Sequence, residues 1–225
     1  PRPLIAFPAG GKAGEKLEVT LMGDPGGPMK KTIQLPPQAN PDFGYFSEHN
    51  GTTAPSPNKI RVTDYASIRE VEPNNNWKQA TATELTLPLA FDGIISEDGD
   101  QDYFKFKAKK GQKFNVRVHA RSVSSPLDPV LGIRDAKGKS LKGNDDANNG
   151  PDSLITFTFP ADGEYFVYVY DHLRKGSPQH VYRIETEAFN PEEVASIPYL
   201  RQRDSQSRQM IPVPRGNRVA SIMNV

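Results

Sequence analysis

Apolar and polar residues alternate with a period of two along most of this chain, and turn-forming clusters break the alternation at short intervals. In GEKLEVTL, Leu17, Val19 and Leu21 alternate with Lys16, Glu18 and Thr20, the pattern of a strand with one face buried. KTIQL (31–35) and NKIRVTD (58–64) repeat it, separated by the loop-rich PPQANPDFGYFSEHNGTTAPSPN. These segments predict a small β-sandwich over residues 1–67. Further on, LAFDGII (89–95), DYFKFKA (102–108), QKFNVRVHA (112–120), PVLGIRD (129–135), SLITFTF (153–159), EYFVYVYD (164–171) and VYRIETE (181–187) are seven more candidate strands. KKGQ, DAKGK, GNDDANNGPD, ADGE and RKGSPQ punctuate them as turns. Ile155, Phe157 and Phe159 share one face, as do Tyr165, Val167 and Val169. Short alternating strands divided in this way predict a second sandwich, of jelly-roll type, over 68–188. Residues 189–225 offer one or two strands (QMIPV, RVASIMNV) and too little apolar material for a core. They are expected to begin a further β module or to dock as edge strands. The fold class is all-β: a small immunoglobulin-like sandwich followed by a jelly roll.

Composition narrows the function classes. The 225 residues carry 28 Lys and Arg against 27 Asp and Glu, a formal charge of +1. The basic residues are scattered, and the densest group, RQRDSQSR (201–208), is interrupted by Asp and Ser. Neither nucleic acid nor an anionic membrane surface is therefore expected as a partner. There are no cysteines, which removes disulfides, thiolate metal sites and cysteine nucleophiles. No stretch approaches the ~18 apolar residues that a membrane-spanning helix needs. The chain opens at Pro1 without a signal-peptide pattern, as expected of an excised fragment or a mature product. A monomer is expected.

Candidate chemistry gathers in two stretches. SEDGDQDYF (96–104) places Glu97, Asp98, Asp100 and Asp102 within six positions, and like charges so close repel unless water or a cation separates them. By itself such a run is either a solvated turn or half of a metal site. As an EF-hand loop it fails, because Tyr103 stands where the glycine belongs and Lys109 where the closing glutamate belongs. Upstream, EVEPNNNWKQAT (70–81) sets Glu70 and Glu72 two positions apart, so that in extended chain they point the same way. Pro73 biases Glu72 towards extended geometry, and Asn74, Asn75 and Asn76 supply amide oxygens. Carboxylates with amide carbonyls are the hard donors that Ca²⁺ takes.

EVEPNNNWKQATATEL, then GIISEDGDQDYFKFKAKKGQKFNVRV, then DDANNGPDSLITFTFPADGEYFVYVY, together resemble the bacterial pre-peptidase C-terminal domain. That family includes the collagen-binding domains of clostridial collagenases. The resemblance covers about residues 70–187 and implies a jelly roll with a calcium site between the lead-in and the acidic turn. It implies Glu70, Glu72 and Asn74 as lead-in ligands, with Asn75 at a position that varies between Asn and Asp, and Asp100 and Asp102 as turn ligands. Glu97 and Asp98 match no ligand position, and Tyr103 and Phe104 are expected in the strand. The acidic loop 143–153 is expected mainly to reverse the chain, with a second ion as the alternative. More weakly, FPAGGKAGEKLEVTLMG resembles the IPT/TIG-like immunoglobulin-type modules of bacterial surface proteins. The order of modules resembles that of large exported planctomycete-type proteins.

Catalysis finds no motif: G-x-S-x-G, H-E-x-x-H and a P-loop are all missing from the sequence. His49, His119, His172 and His180 are scattered, and His119 alternates with apolar neighbours, which places it on a polar strand face. Tyr165, Phe166, Tyr168, Tyr170 and Tyr182 are candidate binding aromatics, but Tyr165 and Phe166 cannot share a face, so half of the set belongs to the core. Trp77 is expected as a lid over the sandwich edge. The reading is a non-catalytic, calcium-stabilised accessory or adhesion module of a larger exported or cell-surface bacterial protein. Its partners would be an extracellular polymer or protein and other domains of the same chain. The alternative is a module that targets a secreted hydrolase to polysaccharide or protein fibres.

Overall fold

In the computed structural model, which describes residues 1–147 and 150–191, the alternating segments become the central strands of two β-sandwiches. The N-terminal sandwich holds β1 (Ile5–Phe7), β2 (Gly10–Lys12), β3 (Lys16–Met22), β4 (Met29–Gln34), β5 (Asn40–Tyr45) and β8 (Asn58–Thr63), with a small hairpin of β6 (Glu48–His49) and β7 (Thr52–Thr53). Its sheets run β1-β3-β4 and β2-β8-β5. Leu17, Val19 and Leu21 meet Ile33, Leu35, Ile60 and Val62 in the core between them. The loop-rich region between β4 and β8 also contains β5. Its sequence NPDFGY carries a proline and a glycine and lies largely exposed, so it pairs with β8 without an apolar alternation to announce it.

The second sandwich is built from β9 (Ser67–Arg69), β10 (Thr81–Thr86), β11 (Ala90–Ile94), β12 (Gln101–Ala108), β13 (Lys113–His119), β14 (Pro129–Asp135), β15 (Ser140–Asn144), β16 (Leu154–Thr158), β17 (Gly163–Asp171) and β18 (Val181–Ala188). Two five-stranded sheets, β10-β12-β17-β14-β15 and β16-β13-β18-β11-β9, face each other. Their inner faces bury Phe91, Phe104, Phe106, Phe114, Phe159 and Tyr165 among aliphatic residues such as Val116, Val118, Leu131, Ile133, Val167 and Ile184. The rings pack at offset or edge-on angles, as between Phe91 and Phe104 (4.9 Å) and between Phe159 and Tyr165 (4.7 Å), the arrangement that ring quadrupoles favour.

The N-terminal sandwich lies against the outer face of the β9-containing sheet, and Pro1–Phe189 form one compact unit. A third, smaller apolar cluster seals this junction: Ile5 and Ala9 from one side, Val123 and Val181 from the other. Most of 189–225, including the two strands expected there, lies outside the described residues, as do 148 and 149 of the acidic loop. In that loop Asp152 accepts the N–H groups of Ala120, Arg121 and Ser122 (3.1, 2.8 and 3.0 Å). Its carboxylate is therefore spent on capping the 3₁₀ turn Arg121–Val123.

Candidate metal centre

The chain leaves β8 and runs as the short edge strand β9, parallel to β11. The next residue, Glu70, donates its N–H to Asp92 O (3.0 Å), while its Oε1 accepts the Ile94 N–H (2.9 Å). Two residues on, Glu72 reaches the same place. Asp102, at the start of β12, enters from the facing sheet. One oxygen from each of Glu70, Glu72 and Asp102 lies within 4.8 Å of the others. Asn74 sits at the seam: its N–H donates to Glu72 Oε2 (2.9 Å) and its carbonyl accepts the Tyr103 N–H (3.1 Å).

Two residues that sequence reasoning missed shape this pocket. Tyr182, fully buried on β18, donates its hydroxyl to Asp102 Oδ2 (2.6 Å) and lies 3.4 Å from Glu70 Oε2. Gly93 is its cross-strand partner on β11, and a Cβ there would collide with both Glu70 Oε2 and the Tyr182 hydroxyl. The glycine is what leaves room for the two side chains to meet. No local signal in FDGII distinguishes it from a turn or bulge glycine, and Tyr182 read simply as one more strand aromatic.

The electrostatics are those of a site short of positive charge. Burial pushes the Glu70 carboxyl up to about 7, and the nearby charges of Glu72 and Asp100 push the same way. Asp102 is raised further, again by burial first and then by the charge of Glu70. Carboxylates so placed ionise together only when a cation neutralises them. Asn74 is 0 % exposed, yet neither its amide oxygen nor its nitrogen has a partner, and Asp102 Oδ1 is likewise buried and unpartnered. Unpaired buried polar atoms are costly. Asn74 is tied to Glu72 through its backbone N–H, and Asp102 belongs to the carboxylate cluster itself; hard oxygen donors of this kind fit Ca²⁺.

The remaining expected ligands are close by but differently occupied. Asp100 is buried, and its Oδ2 accepts both the N–H (2.6 Å) and the hydroxyl (3.0 Å) of Ser96. Asn75 is exposed, and its amide, oriented by its surroundings, donates to Asp100 Oδ1 (2.5 Å) and Gln101 O (3.2 Å). Asp98 and Glu97 are surface residues; Asp98 pairs with Lys175 (2.6 Å).

One arrangement elsewhere has the outline of a hydrolytic relay. Ser122 Oγ is 3.2 Å from His119 Nδ1, and His119 Nε2 is 3.2 Å from Glu185 Oε2. Two guanidiniums already neutralise Glu185, those of Arg61 (2.7 Å) and Arg183 (2.8 Å). Asp152 occupies the backbone donors beside Ser122 that an oxyanion would need. The relay is structural.

On the outer face of the other sheet, Tyr103, Tyr168 and Tyr170 lie nearly parallel, with centroids 5.1 and 6.3 Å apart. The guanidiniums of Arg134 and Arg174 lie over them, 4.9 Å from the Tyr168 ring and 3.8 Å from the Tyr170 ring. Tyr103 is only 3 % exposed. Trp77 packs edge-on against Phe166 (5.8 Å) on the same face.

Residues 100–171 match the family model of the bacterial pre-peptidase C-terminal domain. A probable subtilase-type serine protease of Deinococcus radiodurans is 40 % identical over 109 residues, 48 % of this chain. The chain spans only 15 % of the length of that relative. Among solved structures, the pre-peptidase C-terminal domain of a Bacillus anthracis collagenase is 15 % identical, with a TM-score of 0.37 over 48 % of this chain and 96 % of its own. A periplasmic inhibitor of g-type lysozyme from Aeromonas hydrophila is 14 % identical, with a TM-score of 0.35 over 54 % of this chain and all of its own. The family's segment runs from the acidic turn through β17, so the match to the bacterial pre-peptidase C-terminal domain falls within the second sandwich of this chain.

Proposed function

We propose that this chain is a non-catalytic accessory portion of a larger exported bacterial protein, stabilised by Ca²⁺ held between Glu70, Glu72 and Asp102, with Asn74 and Asp100 beside them. The observation that carries the reading is Asn74, fully buried with both amide atoms unpartnered next to three converging carboxylates. A cation there ties the lead-in after β9 to the entry of β12, and its binding free energy becomes folding free energy. Calcium should raise the melting temperature of the chain relative to chelator. Glu70→Gln combined with Asp102→Asn should abolish the difference, and equal melting of the unmodified chain in calcium and in chelator would refute the reading.

The targeting alternative needs open aromatic ring faces on one sheet. Here guanidiniums cover the tyrosine row, so the geometry favours a scaffold role. Retention of the chain on insoluble polysaccharide or collagen fibres, lost on Tyr170→Ala, would reverse that preference.

A further inference from the structure

Three strands of one sheet carry the candidate metal centre on their inner side and the junction with the N-terminal sandwich on their outer side. On β18, Tyr182 points to the carboxylate cluster and the next residue, Arg183, to the junction. On β11, Gly93 borders the cluster and Asp92 pairs with Arg183 (2.6 Å). At the end of β9, Glu70 joins the cluster while Arg69 reaches back to Glu18 O in the N-terminal sandwich (3.2 Å). Alternation along a strand puts successive residues on opposite faces, so each strand contributes one neighbour to each site.

The junction is a closely built polar assembly. Arg183 is 0 % exposed. It donates to Asp92 and Glu185 on its own sandwich, to Ser67 at the start of β9 (2.8 Å), and to Thr63 Oγ1 at the end of β8 (3.0 Å). Glu185 is gripped from the N-terminal sandwich by Arg61 through two bonds, Nε–Oε1 (2.9 Å) and Nη2–Oε2 (2.7 Å). The backbone of Gly10 lies directly over Arg183, where a Cβ would come within 2.7 Å of Nε. The covalent link between the sandwiches is the stretch that includes β9, and β9 is held by Arg183 at Ser67 and by the cluster at Glu70.

We propose that cation occupancy of the Glu70–Glu72–Asp102 cluster and seating of the N-terminal sandwich are thermodynamically coupled through β9, β11 and β18; this rests on the calcium reading above. A cation that fixes Glu70 holds β9 on the edge of β11, which sets Ser67 and Thr63 for Arg183. By reciprocity, loss of the seated junction weakens calcium binding by the same factor by which calcium strengthens the junction.

The test is calorimetric titration of the whole chain with Ca²⁺, comparing the unmodified protein with Arg61→Met. Arg61 belongs to the N-terminal sandwich and its side chain bonds Glu185 and Pro41 O, not the cluster. The expected result is a dissociation constant raised about fivefold or more, within the usual range of coupling between sites. Lys31→Ala, which removes a surface contact to Glu48 O, should leave it unchanged. Hydrogen exchange of the unmodified chain gives a second reading that needs no variant: amides of β2 and β8 should exchange more slowly in calcium than in chelator. Unaltered affinity in Arg61→Met, or, where that variant does not fold, unaltered exchange in β2 and β8, overturns the coupling alone. Absence of any calcium binding by the unmodified chain overturns the metal reading and the coupling with it.

Discussion

At the scale of single residues, buried polar groups decide the behaviour of this molecule more than its exposed charges do. Gly93 and Glu185 make the point in opposite ways. At Gly93 a methyl group has no free space between Glu70 and Tyr182. Gly93→Ala is therefore expected to lower the melting temperature and to remove the calcium-dependent part of it, measured by scanning calorimetry with and without chelator. A full calcium response in that variant would show that Glu70 is not needed in the pocket. For Glu185, burial alone would raise the carboxyl, but hydrogen bonds from His119 and Arg61 and the charge of Arg183 hold it well below the ordinary carboxylate range. Its contribution is thus complete at neutral pH and is lost as the pH falls below the ordinary glutamate value of ~4.3. Burial lowers His119 despite Glu185, so acid weakens the folded state through it as well, starting near its ordinary ~6.5. Asp92, pushed up to about 6 by burial against the pull of Arg183, acts in the other direction. The comparison that isolates Glu185 is Glu185→Gln. It should cost on the order of 3 kcal/mol at pH 7 and flatten the decline in stability below pH ~4. Urea unfolding across the pH range checks both, and curves that stay parallel down to pH 3 would refute the assignment.

At the scale of elements, strands with an apolar face were legible and strands without one were not. The seven segments from 89 to 187 correspond to β11, β12, β13, β14, β16, β17 and β18 within a residue or two at most ends. The split of the aromatic strand 164–171 also follows its period of two, with Tyr165 in the core and Tyr168 and Tyr170 outside. By contrast β5, β10 and β15 have exposed, mostly polar residues and owe their extended form to pairing with β8, β12 and β14. Pairing partners are distant in sequence, so a local pattern carries no trace of them. The aromatic layer should dominate the energetics: Phe106, in contact with Phe91, Phe159 and Tyr165, is expected to cost about 3–5 kcal/mol on replacement by Ala. A loss below 1 kcal/mol by denaturant titration would mean that the core collapses around the gap.

At the scale of the whole molecule, the two sandwiches behave as one body because a polar sheet face is buried between them. Ser67, Asp92, His119, Arg183 and Glu185 alternate with core residues and so read as a solvent face. Instead Glu185 and Arg183 meet Arg61 and Thr63 of the N-terminal sandwich, while Ser67 and Asp92 bond to Arg183 and His119 to Glu185. Removing residues 1–63 should therefore leave a second sandwich with a strongly lowered melting temperature, since it exposes Val181 and Val123 and frees one side of the ionic assembly. A truncated form that melts as the full chain does would show the junction to be incidental. The sequence by itself determined the all-β class, the period-two core faces, the family resemblance of the second sandwich and the two acidic stretches, because each is written in local residue type and spacing. Only the tertiary structure decided that Tyr182 and Gly93 complete the carboxylate pocket, and that the polar face of β9, β11 and β18 is an interior. Those facts depend on which strands become neighbours and on what covers them, and neither is encoded in the pattern of any one strand.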